Sequence, residues 1–277
     1  MLSYKHGYHA GNHADVFKHI CLLQAFKILK KHHKSITYID THAGSGNYYF
    51  ESPYMKKNSE FNSGIKKISN YKYENQGILF YLKTIQNINK SKKLLFYPGS
   101  PDMINFLSAG TDKIYLYELH KNEYKELTKS FLKSSNVKIL NKDGFNFMNQ
   151  KLKFKDKILT LVDPSYEMKE DYEKVIELIK KINQDFININ ALIWYPILNM
   201  EQNDKFIDNV RKIGSNKLTR LELPIKKFDD RLGMKGSGLI VLNGSNNLIQ
   251  NLKNSIIELY KILKEEDCNI RPKIQKI

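Results

Sequence analysis

Through most of this 277-residue chain, short runs rich in β-branched residues alternate with stretches in which apolar residues recur at helical spacing. The strand-like runs lie at residues 35–40, 94–97, 113–119, 137–141, 157–162, 190–195, 217–223 and 238–243. The helix-like stretches lie at residues 13–33, 102–108, 121–133, 145–152, 170–182, 201–213 and 248–264. Strands that alternate with helices favour a parallel α/β sheet covered by helices on both faces.

One stretch, residues 51–93, interrupts this alternation; it is rich in Lys, Asn and Tyr, and its apolar spacing is patchy. We interpret it as a mostly helical insert with an exposed basic surface. The main domain then comprises residues 1–50 and 94–277, and the chain length suits one domain with an insert. The tyrosines and lysines of the insert fit two interpretations. They form either a surface that stacks on bases and contacts phosphates, or a small satellite core with a solvated face.

Basic residues strongly outnumber acidic ones: 45 Lys and Arg face 29 Asp and Glu, so the formal net charge is +16. An excess of this size makes a polyanion, most simply a nucleic acid, the leading partner. The alternative is compositional, because Lys, Asn and Ile are all abundant and Arg is scarce, as a biased genome would produce.

The cysteines and the lengths of the apolar runs indicate the cellular compartment of the protein. Cys21 and Cys268 are isolated, which indicates a reducing compartment and no zinc ribbon. No apolar run approaches the roughly 20 residues of a membrane span, and residues 1–6 hold no apolar signal-peptide core. We therefore expect a soluble, cytoplasmic protein with no membrane partner.

Acidic or glycine-bearing groups lie at the ends of four of the strand-like runs. The run at 35–40 ends at Asp40, before a turn that contains Gly44, and the run at 113–119 contains Glu118 near its end. Asp143-Gly144 follows the run at 137–141, and Asp163-Pro164-Ser165-Tyr166 follows the run at 157–162. Ligands of doubly wound sheets bind beyond the carboxyl ends of the strands, where an acid can hold both hydroxyls of a ribose. Each acid alone is also compatible with a helix N-cap.

Two motifs carry a resemblance to a known family. Asp163-Pro164-Ser165-Tyr166 resembles the Asp/Asn-Pro-Pro-Tyr/Phe motif of S-adenosylmethionine-dependent methyltransferases that act on exocyclic amines. The opening, residues 4–19, closely resembles the start of the ribosomal RNA large subunit methyltransferase J family, which makes N6-methyladenosine in 23S rRNA. Further matches follow in order at residues 40–44, 97–101, 118–120, 143–144, 163–168, 194–196, 233–234 and 237–238.

The resemblance implies a Rossmann-like class I methyltransferase sheet flanked by helices, with S-adenosyl-L-methionine as cofactor. The implied partner is 23S rRNA, protein-free or in an early assembly form, and we expect a monomer. The implied cofactor-binding positions are Lys18, His19, His42, Gly44, Ser100, Glu118, Asp143, Gly144 and Asp163. The implied catalytic group is Asp163, Pro164 and Tyr166, and we expect Tyr4 and Tyr166 to lie near the target base.

The chemistry of Asp163 can be argued from the residues themselves. An adenine amine is a poor nucleophile because its lone pair is delocalised into the ring. The Asp163 carboxylate and the Pro164 carbonyl can accept its two N–H groups, which holds the nitrogen and concentrates electron density on it. Tyr166 offers a face for a base taken from a loop or flipped out of a helix.

Two departures from the family pattern stand out. Ser165 replaces the second proline of the motif, which removes a fixed φ but keeps the proline whose carbonyl is needed. Residues 243–246, Asn-Gly-Ser-Asn, replace a Pro-rich stretch, which affects the loop after the last strand.

Other functions are weighed against this one. Clustered histidines near the start, including His9 and His13 at i and i+4, resemble a metal site, but few acidic or Cys ligands are close and we expect no metal. The missing GxGxxG spacing disfavours a nicotinamide oxidoreductase. A DNA adenine-N6 methyltransferase, or a non-catalytic RNA-binding protein on a methyltransferase fold, remains the alternative.

Overall fold

Across the residues that our computed structural model describes (6–91, 93–149, 157–185, 188–229 and 233–277), the strands form an eight-stranded sheet and a separate two-stranded ribbon. The strands are β1 (Ile36–Asp40), β2 (Asn47–Tyr49), β3 (Phe96–Pro98), β4 (Lys113–Tyr117), β5 (Val137–Leu140), β6 (Lys157–Val162), β7 (Ile189–Ile197), β8 (Leu218–Pro224), β9 (Gly236–Leu242) and β10 (Lys273–Lys276).

Helices cover both faces of the sheet. They are α1 (His13–His32), α2 (Pro53–Asn58), α3 (Ile65–Ser69), α4 (Gln76–Asn89), α5 (Ser100–Leu107), α6 (Lys121–Ser130), α7 (Glu170–Asp185), α8 (Met200–Arg211) and α9 (Asn246–Leu263). Short 3-10 helices occupy His6–Tyr8, Glu60–Asn62 and Gly144–Asn149.

The sheet order is β10-β8-β9-β7-β6-β1-β4-β5. The strands from β7 to β5 are mutually parallel, which confirms the predicted α/β fold, whereas β9, β8 and β10 join antiparallel. The connection between β8 and β9 is short, which favours the antiparallel pairing of these two strands, because a parallel pair needs a long crossover. The chain order reverses between β1 and β6, so a crevice is expected at their carboxyl ends.

Some elements differ from the sequence-based prediction. The run at 94–97 corresponds to β3, which pairs with β2 in the ribbon and not with the main sheet. It is three residues long and ends at Pro98, which lacks an N–H to donate to a ladder. The helix predicted at 145–152 is a 3-10 helix up to residue 149, and the rest of that prediction lies outside the described residues. Neither β2 nor β10 was predicted, because both are short and largely polar or aromatic.

Helix α1 lies at the centre of the larger core. It packs against α9, α4 and α5 on one face of the sheet, while α7 and α8 pack on the other. From the insert, Ile65, Ile78 and Tyr81 are fully buried in the same cluster as Phe17 and Ile20 of α1. The division into a main domain and an insert stays a prediction. Among the described helices, none combines the length and apolar character that a membrane crossing requires.

Candidate active site

A cavity of about 360 Å³ opens where β1, β4, β5 and β6 end, and we call it the strand-end cavity. Because these strands are parallel, the groups that follow them meet at one edge of the sheet. The cavity is bordered by every position that was predicted to bind the cofactor: Lys18, His19, His42, Gly44, Ser100, Glu118, Asp143, Gly144 and Asp163. Tyr4 lies outside the described residues.

Glu118 follows β4 with both carboxylate oxygens held by backbone N–H groups. Gly44 N–H donates to Oε2 at 2.8 Å, and His120 N–H donates to Oε1 at 2.6 Å. Burial raises the pKa of Glu118 to about 7, although these two hydrogen bonds lower it. Each oxygen retains a lone pair, so the carboxylate can accept from a diol.

The loop after β1 is fixed against the loop after β5. A Cβ on Gly144 would lie 1.9 Å from the Thr41 carbonyl oxygen, so this close backbone approach requires glycine. Thr41 Oγ1 lies 2.8 Å from His42 Nδ1 and donates to the Leu161 carbonyl at 3.1 Å. The His42 ring packs edge-on against Phe145, with centroids 5.0 Å apart. Together these contacts form a rigid, partly aromatic wall.

Two buried histidines of the cavity are kept neutral. Burial lowers the pKa of His19 and of His42 to about 3, and the nearby ammonium of Lys18 adds to this for both. His19 Nδ1 lies 2.7 Å from the Tyr97 hydroxyl, which lies 3.0 Å from the Tyr81 hydroxyl of the insert. Both histidines therefore act as neutral polar groups near neutral pH.

Asp163 lies at the end of a buried charge network. Lys18 Nζ contacts Asp163 Oδ2 and lies 2.8 Å from Asp15 Oδ1. Asp15 Oδ2 lies 3.0 Å from His6 Nε2 and accepts from the Gly11 N–H at 2.9 Å. Burial would lower the pKa of Lys18, but the two carboxylates raise it above its ordinary value, so Lys18 stays charged.

The second carboxylate oxygen of Asp163, Oδ1, is available to a ligand. Within the described part of the chain, Oδ1 of Asp163 makes no hydrogen bond. The side chain is 13% exposed and borders two cavities.

A second cavity, of about 320 Å³, begins on the other side of Asp163 at the N-terminus of α1, and we call it the helix-start cavity. Its polar wall comes from residues before and within the first turns of α1, and its apolar wall from Trp194, Pro196, Leu198 and Met234. Lys18, Asp163 and Pro164 border both cavities. The two cavities therefore meet at the Asp-Pro motif.

Tyr166 borders the helix-start cavity and is largely buried. Its hydroxyl donates to the Trp194 carbonyl at 2.6 Å, and its ring packs against Tyr172 and Trp194. Its φ is +52°, in the left-handed region that a non-glycine residue adopts only when its surroundings hold it there. The motif tyrosine is thus locked into one position.

Several residues of the site were not predicted. Asp15 and His6 lie in the opening motif but were given no role, although an acid three residues before Lys18 on a helix is a recognisable pairing signal. Trp194 lies at a matched position, yet nothing local showed which cavity it would border. Glu60 of the insert borders neither cavity but contacts His9 and Asn12 beside the site, and it has no sequence signal at all. Among the described residues, no group of three or more His, Cys, Asp or Glu is arranged to hold a metal ion.

A parallel sheet, with the acid after β4 and the Asp163-Pro164-Ser165 turn after β6 at one cavity, defines a Rossmann-like protein of the class I methyltransferase type. The comparisons with known proteins are more specific. A family model described as "Ribosomal RNA large subunit methyltransferase D, RlmJ" matches residues 33–271. The chain belongs to this RlmJ family, as its resemblance predicted.

Individual relatives agree along nearly the whole chain. The ribosomal RNA large subunit methyltransferase J of Escherichia coli K12 is 35% identical over 264 residues, covering 95% of this chain and 94% of that protein. Its namesake in Haemophilus influenzae is 34% identical over 268 residues, covering 96% and 95%. The crystal structure of protein LPL1258 from Legionella pneumophila superposes with a TM-score of 0.86 at 31% identity, covering 97% of this chain and 98% of that one.

Proposed function

We propose that this ribosomal RNA methyltransferase transfers a methyl group from S-adenosyl-L-methionine to the N6 amine of an adenine in 23S rRNA. The observation that carries the proposal is the position of the Asp163-Pro164 unit. It lies where the strand-end cavity meets the helix-start cavity, so it can contact an amine that enters from one side and faces a methyl donor on the other.

The strand-end cavity fits the proposed cofactor. Its volume lies within the ordinary range of about 300–1,000 Å³ for ligand pockets. Glu118 would hold the ribose hydroxyls, Asp143 and the Gly144 backbone would face the adenine, and Ser100 and His19 would border the amino-acid end. When bound, the cofactor supplies an activated methyl group on a sulfonium.

The chain itself orients the acceptor amine. The free oxygen of Asp163 accepts one N–H and the Pro164 carbonyl accepts the other, which places the nitrogen lone pair toward the strand-end cavity. Lys18 occupies Oδ2 and so fixes the carboxylate rotamer. This arrangement requires only orientation from Asp163. Methyl transfer would release the cofactor as a neutral thioether, and the methylated amine, cationic at first, would then lose one proton to water.

The helix-start cavity suits a base that has left its stack. Its apolar wall, formed by Trp194, Pro196 and Met234, can cover a purine, and the locked Tyr166 ring closes the side next to the motif. Extracting a base costs a few kcal/mol in a duplex and less in a loop, so a single-stranded or looped adenine is the preferred substrate. The +16 charge supports binding to the RNA backbone.

One experiment tests the function. The protein is incubated with radiolabelled S-adenosylmethionine and, separately, with total RNA or DNA from a strain lacking the enzyme, and the nucleosides are identified after digestion. We expect N6-methyladenosine in 23S rRNA from protein-free RNA. Label only in DNA would identify a DNA methyltransferase, and label in no nucleic acid would refute the proposal.

A further inference from the structure

The insert contacts the polypeptide that forms the polar wall of the helix-start cavity. We call residues 6–12 the leading segment; it precedes α1 and includes His6, His9 and Asn12, which border that cavity. Predicted roles for the insert were an RNA surface or a satellite core. Its contacts with the leading segment point to a third role.

Glu60 makes two hydrogen bonds to the leading segment across about fifty residues of sequence. His9 Nδ1 lies 2.8 Å from Glu60 Oε1, and Asn12 Nδ2 donates to Glu60 Oε2 at 2.9 Å. The carboxylate is therefore bidentate, with one oxygen for each partner. Glu60 itself borders neither cavity.

The contact with Asn12 reaches the catalytic motif through α1. Asn12 is the N-cap of α1, and its Oδ1 accepts from the N–H groups of Ala14 and Asp15 at 2.9 and 3.0 Å. An amide that donates to Glu60 through Nδ2 must turn Oδ1 toward the helix, so Glu60 selects the capping orientation. The capped turn carries Asp15, which pairs with Lys18, and Lys18 contacts Asp163.

Two further contacts hold the same segment. The Ile65 N–H of the insert donates to the Gly11 carbonyl at 2.8 Å, and a Cβ on Gly64 would lie 2.2 Å from that carbonyl oxygen. The Tyr8 and Tyr54 rings pack edge to face with centroids 5.2 Å apart. The insert thus contacts the leading segment along its length.

We propose that Glu60 is a positioning residue, through which the insert holds His9 and Asn12 and so shapes the acceptor side of the site. This inference rests on the proposed function, because its kinetic test measures methyl transfer to rRNA. Glu60 does not touch the reacting atoms; it acts through Asn12, Asp15 and Lys18. Its loss should impair methyl transfer to RNA far more than cofactor binding, because most groups of the strand-end cavity directly follow parallel strands and do not depend on the leading segment.

The test compares Glu60→Ala and Glu60→Gln with Glu51→Gln, a matched change at an exposed insert acid that pairs with Lys56. Single-turnover methylation of protein-free rRNA should fall about 10-fold in Glu60→Ala, because two hydrogen bonds to a charged group are lost. Glu60→Gln should retain part of the rate, since its carbonyl still accepts from Asn12. Glu51→Gln should match the wild type, and cofactor Kd should change less than about twofold in all three.

Amide hydrogen exchange on the same proteins supplies a readout independent of activity. We expect faster exchange at residues 9–15 in Glu60→Ala and unchanged exchange in β6. The rate should also couple to His9: His9→Ala should cost less in the Glu60→Ala background than in the wild type.

Three outcomes would overturn the inference: a wild-type rate in Glu60→Ala, additive effects of the His9 and Glu60 changes, or exchange that rises equally throughout the protein. If Glu60→Ala does not fold, Glu60→Gln decides between the same outcomes. Absence of N6-methyladenosine with the wild-type protein would refute the proposed function, while the exchange measurement would still report on the Glu60 contacts.

Discussion

The strand-end cavity and the helix-start cavity are constructed in different ways, although they share six bordering residues: His6, Lys18, Asp163, Pro164, Ser165 and Glu167. The strand-end cavity is bordered mainly by groups that directly follow parallel strands, so the sheet itself brings them together. The helix-start cavity is bordered by the leading segment, the end of β7 and Met234. Glu60 of the insert hydrogen-bonds two of its bordering residues, His9 and Asn12. A site built on strand ends can be inferred from local sequence, whereas one assembled from distant segments cannot.

Changing the residue at the boundary of the two cavities should have the largest effect. Asp163→Ala removes the acceptor for one amine N–H, so we expect methyl transfer to fall by at least about 100-fold while the protein stays folded. Single-turnover methylation and cofactor calorimetry measure this. Glu170→Ala, an exposed acid at the start of α7, is the control. Near-normal turnover in Asp163→Ala would show that the boundary is not the reaction centre.

Changing Glu118 should affect the strand-end cavity alone. Glu118→Gln should weaken cofactor binding by about 1–3 kcal/mol, because charge-assisted hydrogen bonds to the ribose are lost. The folded pKa of Glu118 is about 7, so the wild-type group is increasingly protonated below that value and must release a proton to accept from two hydroxyls. Wild-type affinity should therefore rise between pH 6 and 8.

The pH dependence of cofactor binding tests the role of Glu118 more specifically than the affinity at one pH. Calorimetry across pH 6–8 should show the rise in the wild type and in Glu126→Gln, an exposed α6 acid, and a flatter profile in Glu118→Gln. An unchanged profile in Glu118→Gln would assign the titration to another group.

The charge of the insert gives a smaller, salt-dependent effect. Substituting the exposed Lys56, Lys66, Lys67 and Lys72 by Gln should reduce the salt slope of RNA binding by up to about 3, at roughly 0.7 per phosphate contact on single strands. Lys57 is kept because its ammonium lies 5.4 Å from the centre of the Tyr8 ring. Filter binding at several salt concentrations measures the slope.

The control for this change lies on the other face of the sheet. Lys180 and Lys181 are exposed on α7, Lys205 on α8 and Lys212 at the C-cap of α8, and their substitution by Gln removes the same charge. If the lysines act only through the overall positive charge of the protein, RNA affinity should fall equally in both variants. An effect confined to the insert variant would support an RNA surface there.

The smallest effect is expected at Ser165, which borders both cavities. Proline there would restrict φ and favour an extended Pro164, which reduces the ordering cost of the loop by up to about 1 kcal/mol. Among the described residues, the Ser165 N–H makes no hydrogen bond that proline would remove. Ser165→Pro should thus keep or modestly raise activity and slightly raise Tm. A large loss of activity with intact folding would give the serine a role of its own.

Sequence reasoning was most successful where chemistry follows a strand directly. Glu118, Asp143 and Asp163 were all placed in one site because parallel strands end at one edge, and the structure brings them to one cavity. It was less successful with β3 and β10, since pairing partners depend on sheet topology and not on local pattern. It assigned Tyr166 a position near the base, but the hydroxyl contact with Trp194 and the positive φ were not visible.

By itself, the sequence determined the α/β class, the acidic residues that meet at the strand ends and the family, because periodicity and short motifs are local properties. Only the tertiary structure decided that the insert packs on the leading segment, that Glu60 reaches His9 and Asn12, and that the two cavities meet at Asp163. The physical reason is that contacts between residues about fifty or more positions apart depend on how whole elements pack. A single carboxylate such as that of Glu60 forms no periodic sequence pattern from which its partners could be predicted.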